Sequence, residues 1–429
     1  MQKSRVSTNL LRNLIAMLAF IHLSAPAQDI KHDFILGTGV HSGQNKTALD
    51  PVKPVMEWAG ITSVRQEVYW HRLELTKGNL KYPANLEEVE RFVDYTQKKG
   101  GLPLLILDYG NKLYDEGDGV SSPEAIEAFT RYASFVANHF KGRVKLYEVW
   151  NEWNIGMGSN KSPRNIRDVG TYVNLLKATY KVVKAVDSSN IVIGGSVAGV
   201  DTKWTDAFIE AGGLAHLDAF SAHPYVIWNP GSKPEHAIRW VDNAHQKMVE
   251  NQPKRTIPIY VTEIGWPNHE GKFSWTEEQT ANFLIRFHIM ARSRPYIKGI
   301  WWYELVNGGR GKDNKEKAFG LVDVDFKAKP ALQAYQVASY LINNAIDVKT
   351  SVTSDFGGKV TWESKMKDGS YCRGHWLTVG NVPIPYGVPS YKMRLSTLWG
   401  DPTVLDETPY VGCEAVNKSV KLPAAMTRN

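Results

Sequence analysis

Two cysteines in 429 residues leave this chain without a disulfide scaffold, and no cluster of His, Cys and Asp has the spacing of a metal site. Beyond the N-terminal segment no apolar run approaches the ~20 residues needed to span a bilayer. A block of like charge is also missing. RGKDNKEK at 310–317 mixes both signs and reads as a solvated loop, so the net charge of +7 gives no support for a nucleic-acid partner. There is no low-complexity tract and no internal repeat beyond a βα alternation. The composition is 43% hydrophobic and 22% charged, with 35 Gly and 21 Pro, which excludes disordered and collagenous classes. The length fits one large domain plus a small one.

Residues 1–27 read as a secretory signal. Lys3, Arg5 and Arg12 precede the apolar run LIAMLAFIHL, and the small residues Ala25 and Ala27 mark the cut. The mature protein is therefore expected to be secreted or periplasmic, with no membrane span, and to act as a monomer. In that oxidising setting Cys372 and Cys413, both in the last fifth of the chain, are expected to pair. The sequons at Asn45, Asn160 and Asn417 would carry glycans only in a eukaryotic secretory path.

From about residue 33 short apolar runs alternate with amphipathic ones. FILGTGV, ITSVRQEV, LPLLILDY, VKLYEVWN, IVIGGSV, LDAFSAH, IPIYVTEI and KGIWWYELV read as strands. Helical spacing separates them. Leu86, Val89, Phe92 and Val93 make one stripe, the next helix opens with Ser122 as cap and Pro123 as first residue, and a last helix starts at Pro330. Eight such units predict an α/β fold, a (β/α)₈ TIM barrel over residues 28–345. An open doubly wound sheet is the rival, but GTGVHSGQN after the first strand lacks its helix-opening glycine pattern. After residue 346 long helical stripes give way to short β-prone runs, so 346–429 is expected to be a small β-sandwich-like domain that braces the barrel.

Active sites of such barrels lie at the C-terminal ends of the strands. There the sequence sets His41, Arg65, Asp108, Tyr109, Asn151, Glu152, His223, Tyr225, Glu263 and Trp302. Two are carboxylates, on strands four and seven, and cleavage of a glycosidic bond needs two carboxyl groups flanking it. A serine hydrolase is disfavoured because no GxSxG occurs.

VWNEWN on strand four, YVTEIGWP on strand seven and the tail FGLVDVDFKAKPALQAY resemble the glycoside hydrolases of clan A, most nearly family 39, over residues 34–345. The resemblance implies a retaining enzyme with Glu152 as acid/base and Glu263 as nucleophile, about 5–5.5 Å apart. Glu152 would hold a proton at rest, favoured by the charge of Glu263. Asn151 would bind the sugar 2-hydroxyl. Arg65 would pair with Glu263 and keep it ionised, with Glu148 as a structural partner. Tyr225 would donate to Glu263, His223 would line the same wall, and one of Trp301 and Trp302, which alternation sends to opposite sides with the other in the core, would form the platform under the sugar, Trp302 being favoured. His41, Asp108, Tyr109 and Asn111 would reach neighbouring sugars, and of Trp150, Trp153 and Trp266, which flank both Glu residues, some would widen the surface and at least one would be simple packing. Short loops, the longest being NIGMGSNKSPRNIRD, favour endo action on a polysaccharide without a cofactor. An exo-acting β-xylosidase-like enzyme and a non-catalytic carbohydrate-binding matrix protein are the alternatives.

Overall fold

In the structure, a computed structural model, the described residues are 34–44, 46–159, 168–228, 233–352, 358–378, 396–399 and 409–414. The leader, the asparagine of each of the three sequons and residues 160–167 of the loop after Glu152 lie outside them.

Each of the eight apolar runs forms a strand: β1 Ile35–Gly39, β2 Ser63–Glu67, β3 Leu104–Leu107, β4 Leu146–Val149, β5 Ile191–Ala198, β6 Ala219–His223, β7 Ile259–Ile264 and β8 Ile297–Trp302. They pair in chain order, all parallel, and β8 returns to β1 through Gly37↔Trp301, which closes the barrel. The helices between are α1 Leu49–Ala59, α2 Glu87–Lys98, α3 Pro123–His139, α4 Val169–Val186, α5 Thr202–Glu210, α6 Pro234–Asn251 and α7 Glu277–Arg292, and α8 Pro330–Asn344 closes the series. Their ends follow local chemistry. Ser122 Oγ accepts from the Ala125 amide at 3.1 Å, and Thr276 and Gln279 form a reciprocal capping box. Gly60 ends α1 at φ 71°, a left-handed conformation that a residue without Cβ adopts at no steric cost.

Side-chain alternation sorts each strand between two cores. Ile35, Leu104, Ile106, Leu146, Ile193, Ala219, Tyr260 and Trp301 fill the barrel interior, while the larger core lies between strands and helices. Trp301 fits inside because its neighbours are small. A Cβ on Gly37 would meet the indole at 2.2 Å, and one on Gly299 at 2.9 Å. The polar residues of β2 and β4, Arg65, Glu67 and Glu148, sit above this floor, toward the C-terminal mouth.

The C-terminal segment forms a five-stranded antiparallel sheet: β9 Lys349–Val352, β10 Lys359–Lys365, β11 Tyr371–Leu377, β12 Ser396–Trp399 and β13 Tyr410–Glu414, in the order β9-β10-β11-β13-β12. Cys372 and Cys413 face each other across β11 and β13 and are disulfide-bonded, as expected. The sheet is tied to the barrel by Trp376, whose Nε1 donates to Glu235 on α6 at 2.8 Å, the same carboxylate that Arg286 of α7 grips. Among the described residues no helix is long and apolar enough to cross a membrane.

Candidate active site

A cavity of about 530 Å³ opens at the C-terminal ends of the strands. Its centre is organised by Arg65, a buried guanidinium that donates Nε to Glu148 at 2.7 Å, Nη1 to Glu263 at 2.9 Å and Nη2 to Asn151 at 2.8 Å. The planar fork lets one residue hold three acceptors in fixed relative positions. Glu148 is fully buried. Its second oxygen accepts hydroxyls from Ser196 at 3.1 Å, Ser221 at 2.5 Å and Thr262 at 2.8 Å. Burial opposes its charge, but Arg65 and His223 hold the carboxyl well below its usual range. Arg65 therefore serves the structural pair and the site at once.

Glu263 ends β7 with two donors on it, Arg65 Nη1 and the Tyr225 hydroxyl at 2.8 Å. Glu152, just after β4, meets His223 Nδ1 at 3.1 Å, and His223 Nε2 meets Thr262 Oγ1 at 3.0 Å. One donor atom from each of Glu152, His223 and Glu263 lies within 4.8 Å of the others. The three come from β4, β6 and β7, so sequence spacing gave no sign of the cluster. Such a trio suits a divalent ion, but a guanidinium fixed on Glu263 repels a second cation and favours an acidic pair.

Burial raises the Glu263 carboxyl above its ordinary value. His223 and Arg65 oppose this, Glu152 adds to it, and the Tyr225 hydrogen bond lowers it. Arg65 pairs with Glu263 and lowers its carboxyl, but burial outweighs that pull. The two donors on Glu263 favour charge there. His223, surrounded by Glu263, Glu148 and Glu152, is pushed up to about 9 against its burial.

Trp150 and Glu152 take φ values of 69° and 51° on either side of Asn151. Left-handed backbone at non-glycine residues costs about 1–3 kcal/mol each and persists where surroundings impose it. Here the Trp150 amide donates to Leu107 O, and its indole donates to Met157 O, both at 3.0 Å. The turn delivers Asn151 and Glu152 together to the cleft. Asn151 Nδ2 donates to the Tyr109 hydroxyl at 3.0 Å.

On the β1–β3 side His41 Nδ1 lies 2.6 Å from Glu67, which also accepts from Gln44 at 2.8 Å, and His41 Nε2 is 3.4 Å from Glu304. Asp108 is buried at the cavity wall with both oxygens lacking a protein partner.

Several expectations fail on geometry. Trp302 is fully buried in the strand–helix layer against Trp266 and His288 and does not reach the cavity. Trp301 fills the barrel interior, and Tyr303, in the same phase, lines the cleft instead. Asn111 does not line it either: it donates to Glu74 O at 2.8 Å and accepts from the Leu113 amide, bracing the short hairpin after β2. Trp150, Trp153 and Trp266 are buried packing. Missed by sequence reasoning were Gln44, Glu67, Tyr303 and the half-exposed Trp228, which lies at the cleft under Lys315. Arg65 and Glu67 two apart in one strand were the available signal for Glu67.

Residues 133–335, a span containing both Glu152 and Glu263, match the profile of a family described as glycosyl hydrolase catalytic core. Over 101 residues the chain is 30% identical to beta-glucosidase 26 of Oryza sativa subsp. japonica, covering 23% of this chain and 20% of that protein, so it spans about a fifth of that curated relative. A family 39 glycoside hydrolase from the gut symbiont Bacteroides cellulosilyticus superposes with a TM-score of 0.73 at 23% identity, over 90% of this chain and 82% of that one. A monomeric beta-xylosidase from Caulobacter crescentus gives 0.56 at 18%, over 77% and 73%. At these identities the two structural likenesses are of fold. With the profile match over residues 133–335, the chain is similar to glycoside hydrolases across the part of the barrel that holds both Glu152 and Glu263.

Proposed function

We propose that this chain is a retaining β-glycosidase that cuts within an extracellular or periplasmic polysaccharide by double displacement. The observation that carries the reading is the opposed pair, Glu152 and Glu263, with an oxygen of each within 4.8 Å across one cavity. Inverting enzymes separate their carboxyls by about 6.5–9.5 Å to admit a water, whereas retaining ones keep about 5–5.5 Å, and this spacing supports the second class.

Glu263, charged under Arg65 and Tyr225, attacks the anomeric carbon while Glu152 passes its proton to the departing glycosidic oxygen. The carbon–oxygen bond breaks and a glycosyl ester forms on Glu263. With that negative charge gone, Glu152 takes a proton from water, which attacks the same carbon and frees Glu263. Asn151, fixed by Arg65 and Tyr109, presents its amide to the sugar 2-hydroxyl, a contact that strengthens as charge develops. Cleft residues on both sides of the pair, from His41 and Glu67 to Val200 and Trp228, leave room for sugars before and after the cleavage point. The disulfide fits an exported protein.

A polysaccharide panel with product sizing, run on wild-type protein and Glu263→Gln, tests this. Mixed oligomers from the wild type and loss of turnover by at least about 10³-fold with retained polymer binding in the variant are expected. Monomers alone would make the enzyme exo-acting. A variant as active as the wild type would reject the assignment.

A further inference from the structure

The second asparagine of VWNEWN has no part in either step of double displacement. Glu263 lies within β7 and is held by the sheet, but Glu152 lies beyond the end of β4, on a left-handed turn with φ 51°. Among the described residues its carboxyl makes one side-chain hydrogen bond, with His223 Nδ1 at 3.1 Å. Its place therefore depends on what holds the turn. Trp150 anchors the turn before Glu152, through its amide to Leu107 O and its indole to Met157 O, and the Trp153 indole donates to Asp168 O at 3.0 Å, ahead of α4.

Asn154, buried at the cavity wall, supplies a further anchor. Its Oδ1 accepts from the Ala198 amide at 2.9 Å, and its Nδ2 donates to Ala198 O at 3.0 Å and to Asp201 Oδ2 at 3.2 Å. Pairing of β4 with β5 ends at Glu148↔Ile193, so the carboxamide serves as the partner of β5 where β4 has run out. A carboxamide can accept and donate at once. A carboxylate of the same shape would lose both donors and set its charge against Asp201.

We propose that Asn154 is the positioning residue for Glu152, holding the acid/base where it meets His223 and faces Glu263. The inference rests on the glycosidase reading. Its geometry is a closed circuit. Ala198 is the register partner of His223 across β5 and β6, and the Gly199 amide donates to His223 O at 2.8 Å. Asn154 thus ties the turn to the same stretch of backbone that holds the imidazole facing Glu152. Without it the turn keeps its Trp150 anchor to β3 and loses the one to β5. A displacement of about 1 Å in a reacting group costs on the order of 10²-fold in rate.

A good leaving group makes the acid unnecessary. 4-Nitrophenolate departs without a proton, whereas phenolate needs one, so a misplaced acid slows the second and spares the first. A smaller folded fraction slows both alike.

The test uses 4-nitrophenyl and phenyl glycosides of an oligosaccharide that the wild-type protein releases from its polymer, compared by the ratio of their kcat/KM values. Glu152→Gln, the reference, is expected to raise that ratio by on the order of 10²-fold or more. Asn154→Ala is expected to raise it at least about tenfold while the nitrophenyl rate stays within about threefold of wild type. Asn154→Asp, which keeps the shape and the acceptor, decides should the alanine variant not fold, with a rise of at least about threefold expected. An unchanged ratio in the folded variant, or two rates that fall together, overturns the proposal. The reference separates the two levels. If Glu152→Gln leaves the ratio unchanged, the acid assignment and the glycosidase reading fall first; if only the Asn154 variants leave it unchanged, the positioning role alone falls.

Discussion

Arg65→Met removes the cation that Glu148, Glu263 and Asn151 share. Glu148 then becomes a fully buried charge left with three neutral hydroxyls and with His223, 3.6 Å away, as its one remaining cation. Removing one member of a buried pair costs about 3–5 kcal/mol, because the other is left uncompensated. For a chain of this length the entropy of melting converts that into a midpoint fall of roughly 3–6 °C. Adding Glu148→Gln should return about 2–3 kcal/mol, since the amide oxygen still accepts from Ser196, Ser221 and Thr262 without a charge to bury. Turnover should not return. Glu263 still lacks a charge-assisted bond worth about 1.5–3 kcal/mol, or roughly 10- to 150-fold in kcat/KM. Urea unfolding run beside kinetics on wild type, both single variants and the double variant gives the cycle. A single Arg65→Met loss below about 1 kcal/mol, a double variant no more stable than the single, or activity that recovers with stability would each refute the division of labour.

Tyr225→Phe should lower kcat/KM by about tenfold or more with little change in melting, because only the 2.8 Å donor to Glu263 is lost; unchanged kinetics would remove Tyr225 from the site. Trp302→Ala should cost about 3–5 kcal/mol of stability as a core cavity, whereas Trp228→Ala should raise the KM for polymer and leave the unfolding midpoint in place; the reverse pattern would return Trp302 to the cleft. Stability should peak near pH 5–6. Glu67 is lowered to about 2 and Glu148 lies lower still, so their contribution is present above the ordinary carboxyl value of about 4.3 and is lost as pH falls toward 2. His41 and His223, both raised to about 9, contribute fully below about 6.5 and lose it as pH climbs through 9, while Glu304, raised to about 7, also subtracts stability above about 4.5. A denaturation midpoint that holds or rises between pH 6.5 and 9 would contradict this.

The strands were legible because barrel strands buried on both faces are short, nearly continuous apolar runs, and the helices because their stripes repeat at 3.6 residues. The acidic pair was legible for the same reason: a carboxylate at the end of such a run has few structural excuses. Which side of the wall a strand residue faces was harder. Trp301 and Trp302 are chemically identical, and alternation says only that they part company. What decides between them is the space opposite. Gly37 and Gly299 leave a hole inside the barrel, Trp301 fills it, and the next residue in that phase, Tyr303, reaches the mouth. Asn111 failed differently, since its contacts are to the backbone of a hairpin thirty-odd positions earlier, and no local pattern announces them.

The same reasoning explains why so much charge is tolerated in one crevice. Glu67, Asp108, Glu148, Glu152, Glu263 and Glu304, from five strand ends, converge on the cavity or just beneath it, yet two buried cations, Arg65 and His223, bind Glu148, Glu152 and Glu263 into one network. A rigid frame of this kind suits the double displacement proposed above, because Glu152 would act as acid in the first step and as base in the second while Glu263 stays within reach of the same carbon atom.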